Sequence, residues 1–364
     1  MTSGARILLT PGPTPLPPQV LEALSRPIIH HRTHEFRELF TQTLSDLQSV
    51  YRTRNTVLLM TASGTGAMES SVANLFSPGD RAVVHSIGAF GERFARILRA
   101  YGLEPRVISE EWGRAADPAK LAAELRSHRG VKAVFFQQAE TSTGAVNDVQ
   151  ALAETVRRHS DAVIVLDAIS SLGGEPLETD AWGLDVVLSA SQKGLMCAPG
   201  LAFASVSERA WELSATARLP RFYLDWRAMR EALPDGGAPF TPAINLVAGQ
   251  ATSLRLLLEE GLEKAWARTA ELARHARKRA RELGLELVAE APSNVLTALR
   301  TPPEIDPDAL IADILEKDGV AIARGMGRLK GKTVRVAHMG HISRAELDAG
   351  FDALRRRMPR EGEH

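Results

Sequence analysis

Ala162-Val-Ile-Val-Leu-Asp167-Ala-Ile-Ser-Ser171 and, after a short interval, Val186-Val-Leu-Ser-Ala-Ser-Gln-Lys193-Gly194 are the stretches on which the fold turns. Each opens on an aliphatic run without polar alternation and closes on polar residues. Such a run reads as a strand buried on both faces, the habit of parallel sheets covered by helices. Working outward, Thr56-Val-Leu-Leu-Met60, Arg81-Ala-Val-Val84, Pro105-Arg-Val-Ile108, Lys132-Ala-Val-Phe-Phe136 and Leu201-Ala-Phe-Ala204 repeat the pattern. Helical patterns lie between them, from Gly64 to Leu75 and over 118–127 and 148–159. This alternation predicts an α/β fold on a mainly parallel sheet.

Toward the amino terminus, Pro11, Pro13, Pro15, Pro17 and Pro18 mark an extended arm over residues 1–20. Beyond about residue 250 the pattern changes. Leu262, Trp266, Thr269, Ala273, Ala276, Ala280 and Leu283 recur at steps of three and four, the stripe of one long helix. Its other face carries Arg274, Arg277, Lys278, Arg279 and Arg281, interleaved with Glu271 and Glu282, and reads as a solvated face. The 364 residues therefore divide into the arm, a large domain over 21–258 and a smaller α+β domain over 259–364.

Forty-four Lys and Arg balance 44 Asp and Glu. A zero balance argues against a nucleic-acid partner, which would call for a basic excess. Cys197 is the only cysteine, so no intrachain disulfide forms and a reducing, cytoplasmic compartment is expected. No apolar run approaches the ~20 residues needed to span a bilayer, so no membrane association is expected. Two passages invite other readings. Gly325-Met-Gly-Arg-Leu-Lys-Gly331-Lys-Thr333 resembles a phosphate-binding loop, but Met326 stands where the pattern needs glycine. The following Thr333-Val-Arg-Val-Ala337 reads as a strand and not as the helix such a loop must open, so a hairpin is predicted. His30, His31 and His34 suggest a metal site, but Glu38 replaces the second histidine of H-E-x-x-H, and none is expected.

The chemistry concentrates where strands end. One strand leads into Glu140-Thr-Ser-Thr-Gly144, a second ends at Asp167, and a third leads into Ser191-Gln-Lys193. In an open α/β sheet, ligands bind at the carboxyl ends of the strands, so Ser142, Asp167 and Lys193 converge if the strands are neighbours. Thr61-Ala-Ser-Gly-Thr-Gly-Ala-Met-Glu69 adds a glycine-rich turn opening a helix, whose free amides and dipole suit a phosphate. A lysine, an acid and a helix-terminal phosphate site match the needs of pyridoxal phosphate. Its aldehyde takes an amine, its pyridine nitrogen an anion, and its phosphate a helix N-terminus.

Thr61–Glu69, Val165–Gly174 and Ser189–Gly200 resemble the signatures of class V (fold type I) pyridoxal-phosphate aminotransferases, in particular the alanine/serine–glyoxylate (serine–pyruvate) branch. The resemblance runs from Thr10–Pro18 to the Arg335 segment. It implies a large domain with a seven-stranded, mainly parallel sheet, a small C-terminal domain, and a homodimer with active sites at the interface. It makes Lys193 the Schiff-base lysine and general acid/base, its pKa depressed by burial and cationic neighbours. Asp167 becomes the partner of the pyridine nitrogen, and Ser142 a neighbour of the phenolic oxygen. Ser63, Gly64, Thr65 and Gln192 become phosphate ligands. Phe90 stands where the branch often stacks a tryptophan. Arg335 matches the arginine that grips the substrate carboxylate, Gly12 a glycine approaching the substrate, and Thr241 a residue reaching the neighbouring subunit's phosphate.

The reaction implied moves an amino group from alanine or serine to a 2-oxo acid such as glyoxylate or pyruvate. Phosphoserine or aspartate transamination within the same class is the alternative. A lyase or cysteine desulfurase is disfavoured, because desulfuration needs a mobile thiol and Cys197 follows Lys193 too closely. A nucleotide-binding module would require Gly64-Thr-Gly66 and the 325–333 loop to be the sites.

Overall fold

The computed structural model describes residues 6–358. Its centre is a seven-stranded sheet in the order Thr56–Thr61, Leu201–Val206, Val186–Ala190, Val163–Asp167, Val131–Gln137, Arg81–Ser86, Arg106–Ser109. Leu201–Val206 is antiparallel to both neighbours and every other pair is parallel, so six strands point their carboxyl ends to one edge. All five residues of Val163–Asp167 and of Val186–Ala190 are buried, as unbroken aliphatic runs require. Separate apolar cores cover the two faces. Trp226 is fully buried in one, its indole N–H donating to the Ser70 hydroxyl at 3.1 Å.

A second sheet has four strands, in the order Ile7–Leu9, Val320–Arg324, Thr333–Ala337, Leu296–Arg300. Its first strand comes from the segment read as an arm, whose residues 1–5 lie outside the described ones. Ile7–Leu9 pairs in parallel with Val320–Ile322. Within the same segment Pro17 caps, and Pro18 starts, the helix Pro18–Leu24, where proline's missing N–H costs nothing. The helix Ile244–Glu260 runs through residue 258, and the chain then turns at Gly261 (φ 89°) into the long helix Leu262–Glu282.

That long helix buries Leu262, Ala265, Thr269, Leu272, Ala273, Ala276 and Ala280. Its basic face is solvated at Arg274, Lys278 and Arg281, which are exposed, and the expectation needs correction at Arg277 and Arg279. Arg277 donates to the Ser293 carbonyl at 3.0 Å, and Arg279 pairs with Asp348 and, at 2.7 Å, with Asp352. Long arginine stems reach sideways over the helix edge and lend their heads to neighbouring segments of the same unit. Trp266 lies under the Arg52 guanidinium, 4.7 Å from its ring centre.

The 325–333 passage is the loop of a hairpin. Val320–Arg324 and Thr333–Ala337 are antiparallel, and the Gly325 amide donates to the Thr333 carbonyl at 2.9 Å. His34 opens the helix His34–Tyr51, with its ring 3.4 Å from Glu38 in solvent. Among the described residues, no helix is long and apolar enough to cross a membrane.

Candidate active site

Asp167 is the last residue of its strand, and Lys193 lies just past the neighbouring one, at the same sheet edge. Both line a cavity of about 150 Å³. The Asp167 carboxylate is buried and accepts the Ile169 amide at 2.9 Å. Burial, aided by the charge of Glu140, pushes its pKa up from 3.8 to about 7. Burial, then the charge of Arg335, pulls the Lys193 amine down from 10.5 to about 8. At neutral pH the amine is therefore partly unprotonated, the state in which it is a nucleophile and a base.

The segment following the first strand is strapped across this lysine. The Lys193 amine donates to the Pro11 carbonyl. The Thr14 amide and hydroxyl donate to the carbonyls of Gln192 (3.2 Å) and Lys193 (3.0 Å). Gly12 has φ 114°, and a Cβ there would stand 2.5 Å from the lysine Cδ. Only glycine lets the strap lie this close.

The helix Gly64–Leu75 begins at the same cavity. Its Ser63 N-cap makes no capping bond, and among the described residues the Gly64 and Thr65 amides find no acceptor. A Cβ on Gly64 would meet Ile169 at 2.9 Å, so the glycine allows the helix to start against the Asp167 loop. Gln192 lines the same cavity, and its side-chain NH2 group is a donor. Open amides at a helix start, with such a donor beside them, fit a bound phosphate. A carboxylate and an amine line the same space.

Gly12, Ser63, Gly64, Thr65, Phe90, Asp167, Gln192 and Lys193 thus all line one cavity. Ser142 lies behind its wall, where its hydroxyl accepts the Ala89 amide (3.0 Å) and donates to Glu140 (2.7 Å). Arg335 adjoins the cavity through Thr141, a lining residue. Its guanidinium is nearly buried and donates to the carbonyls of Thr141 (2.8 Å) and Arg324 (2.9 Å). Burial pulls its pKa down to about 10, and among the described residues no carboxylate pairs with it. A buried guanidinium with donors to spare is a receptor for an anion. Thr241 is elsewhere, exposed on a surface beside Tyr223 and Phe240.

Sequence reasoning missed two charged groups here. Glu140 is fully buried, and its carboxylate accepts the amides of Phe90 (2.9 Å) and Gly91 (3.3 Å), docking the start of the helix Ala89–Ala100. Burial raises its pKa. No local pattern announces an acid that caps another element's helix. Arg93, which also lines the cavity, was visible in principle, three residues after Phe90 and so on the same helix face. Cys197 is buried and its thiol is pushed up to about 12, far from a nucleophile's range.

The raised Asp167 pKa carries a stability consequence. The fold favours the protonated carboxyl, so the stability this gives is complete below about 3.8 and lost as pH rises through about 7. Asp167→Asn keeps an acceptor for Ile169 and removes the buried charge. In cofactor-free protein we expect the variant to melt at a higher temperature than the parent at pH 8, with the gap narrowing as pH falls below 7. A lower melting temperature at pH 8 would mean that the site stabilises the carboxylate.

The sequence model of one protein family, described as aminotransferase class-V, matches residues 6–345. The soluble hydrogenase 42 kDa subunit of Anabaena cylindrica is 40% identical, covering 94% of this chain and 90% of that protein. L-aspartate–glyoxylate aminotransferase of Paracoccus denitrificans is 33% identical, covering 96% and 90%. Serine–glyoxylate aminotransferase of Methylorubrum extorquens is 32% identical, covering 94% and 89%. Among solved structures, the alanine–glyoxylate aminotransferase of Nostoc sp. superposes with a TM-score of 0.94 at 32% identity, covering 98% and 96%.

Proposed function

The chain belongs to the class-V aminotransferases, and from that premise we propose that it moves the amino group of alanine or serine to a 2-oxo acid such as glyoxylate or pyruvate. It is a pyridoxal-phosphate enzyme. The observation that carries the reading is a buried amine and a buried carboxylate lining one cavity, with an open helix start lining it beside them.

When bound, the cofactor supplies an electron sink that lets the proton on the substrate's α-carbon leave. In this reading Lys193 binds the cofactor's aldehyde and then, as a free amine, carries that proton. An amine pulled down to about 8 accepts and returns a proton near neutral pH, which an ordinary lysine at 10.5 does poorly. Asp167 holds a proton on the pyridine nitrogen. The Gly64 and Thr65 amides, the Ser63 hydroxyl and Gln192 hold the phosphate, and Phe90 offers a flat apolar wall. Glu140 and Ser142 fix the helix that carries Phe90, and Ser142 would be the neighbour of the ring's phenolic oxygen. Arg335 grips the substrate carboxylate, and Gly12 keeps the strap clear of the substrate.

We assign the cofactor to the larger unit and the substrate carboxylate to the smaller one. Thr241 then serves a second copy of the chain across a homodimer interface. Its surroundings support this, since Phe222 (80% exposed), Tyr223 and Phe240 form an aromatic patch beside it. A cytoplasmic location accords with the single, buried cysteine.

The test is direct. The purified protein should be yellow, and borohydride should fix the chromophore to the peptide containing Lys193. A colourless protein that takes up no pyridoxal phosphate defeats the reading. Alanine, serine, aspartate and phosphoserine, crossed with glyoxylate, pyruvate and 2-oxoglutarate, then identify the substrate pair.

A further inference from the structure

Arg93 lines the cavity with Lys193 and has no task in the reaction as derived. It stands just after the first turn of the helix Ala89–Ala100, half-buried, with its guanidinium 4.7 Å from the centre of the Phe90 ring. It donates to the Thr65 hydroxyl oxygen at 2.9 Å, and among the described residues it has no ion-pair partner. The charged groups near it include Arg96, Asp167, Glu140 and Lys193.

A guanidinium has five N–H donors, and one is engaged here. The rest are left to take an anion in the cavity that Arg93 lines. Its partner is informative. Thr65 occupies the second position of the helix whose opening amides are free. A hydroxyl that accepts from a guanidinium has its own hydrogen left to donate, in this case toward the open helix start.

We propose that Arg93 is a positioning residue for the cofactor's phosphate. It turns the Thr65 hydroxyl into a committed donor and places a positive charge beside the amides of Gly64 and Thr65. This rests on the pyridoxal-phosphate reading above and adds to it a residue that acts through Thr65.

The cofactor itself offers a control, because pyridoxal is the same aldehyde without the phosphate. Apoprotein is titrated with each compound, and binding is followed by the absorbance of the lysine-bound chromophore. For Arg93→Met the dissociation constant for pyridoxal phosphate should rise roughly 10- to 100-fold, the worth of a charge-assisted hydrogen bond. That for pyridoxal should stay unchanged. Arg93→Lys should recover part of the loss by restoring the charge. Thr65→Val, which keeps the arginine, should show the same selective loss, and the double variant should lose no more than the worse single one. Equal weakening toward both compounds would place the effect in the Phe90 wall or the fold and overturn the proposal, as would no weakening toward either. Parent apoprotein that binds neither compound would instead overturn the underlying reading.

Discussion

Lys193→Ala is expected to lower transamination roughly 10⁴-fold, the upper range for removing a positioned general acid/base together with its nucleophile. What else stands in or beside the cavity sets the size of the loss. Arg93, which lines it, and Arg335, which adjoins it, hold their protons near neutrality, the latter at about 10. Asp167, in the proposed reading, is committed to the pyridine nitrogen. Among the described residues no other basic side chain lines the space, so the proton has no substitute carrier. The phosphate end is untouched by the change, and the variant should retain cofactor noncovalently. A half-reaction with alanine, followed by absorbance, measures the loss. Added methylamine should restore part of the rate, since a small free amine can enter the space the side chain leaves. A variant that retains a tenth of the parent rate would remove Lys193 from its role.

Arg335→Lys should raise KM for the amino acid on the order of 10²-fold, with a far smaller change in affinity for pyridoxal phosphate. The structure explains why lysine cannot serve. The Nε and Nη1 groups of the guanidinium donate to the Arg324 and Thr141 carbonyls, which fix its plane. The remaining donors present a fixed pair of N–H groups, and a carboxylate is recognised by such a pair. An ammonium brings charge without the plane and leaves a carbonyl short of its donor. Equal losses of substrate and cofactor binding would mean that Arg335 is structural.

Much of this fold is written locally. The central strands carry aliphatic runs because both faces are covered, and the long helix carries its stripe because one face is. The strand ends could therefore be read, and with them Asp167, Lys193 and the Gly64 helix start. What could not be read depends on partners distant in the chain. Nothing in Ile7-Leu-Leu9 announces that it will join Val320–Ile322. Nothing in Glu140 announces that it will cap Phe90 and Gly91. The arginines of the long helix look like solvated charge until Asp348, Asp352 and Ser293 arrive beside them. Thr241 is legible only through family resemblance, because the role proposed for it needs a second chain.

The pairing of Ile7–Leu9 with Val320–Ile322 also orders events at the ribosome. Synthesis runs from the amino terminus, so Asp167, Lys193 and the Gly64 helix are all made before the strand that anchors the strap over the lysine. The strand that leads into Pro11, Gly12 and Thr14 gains its partner only when the carboxy-terminal strands have emerged. Lys193 precedes Val320 by 127 residues, so the strand side of its roof is the last part to be anchored.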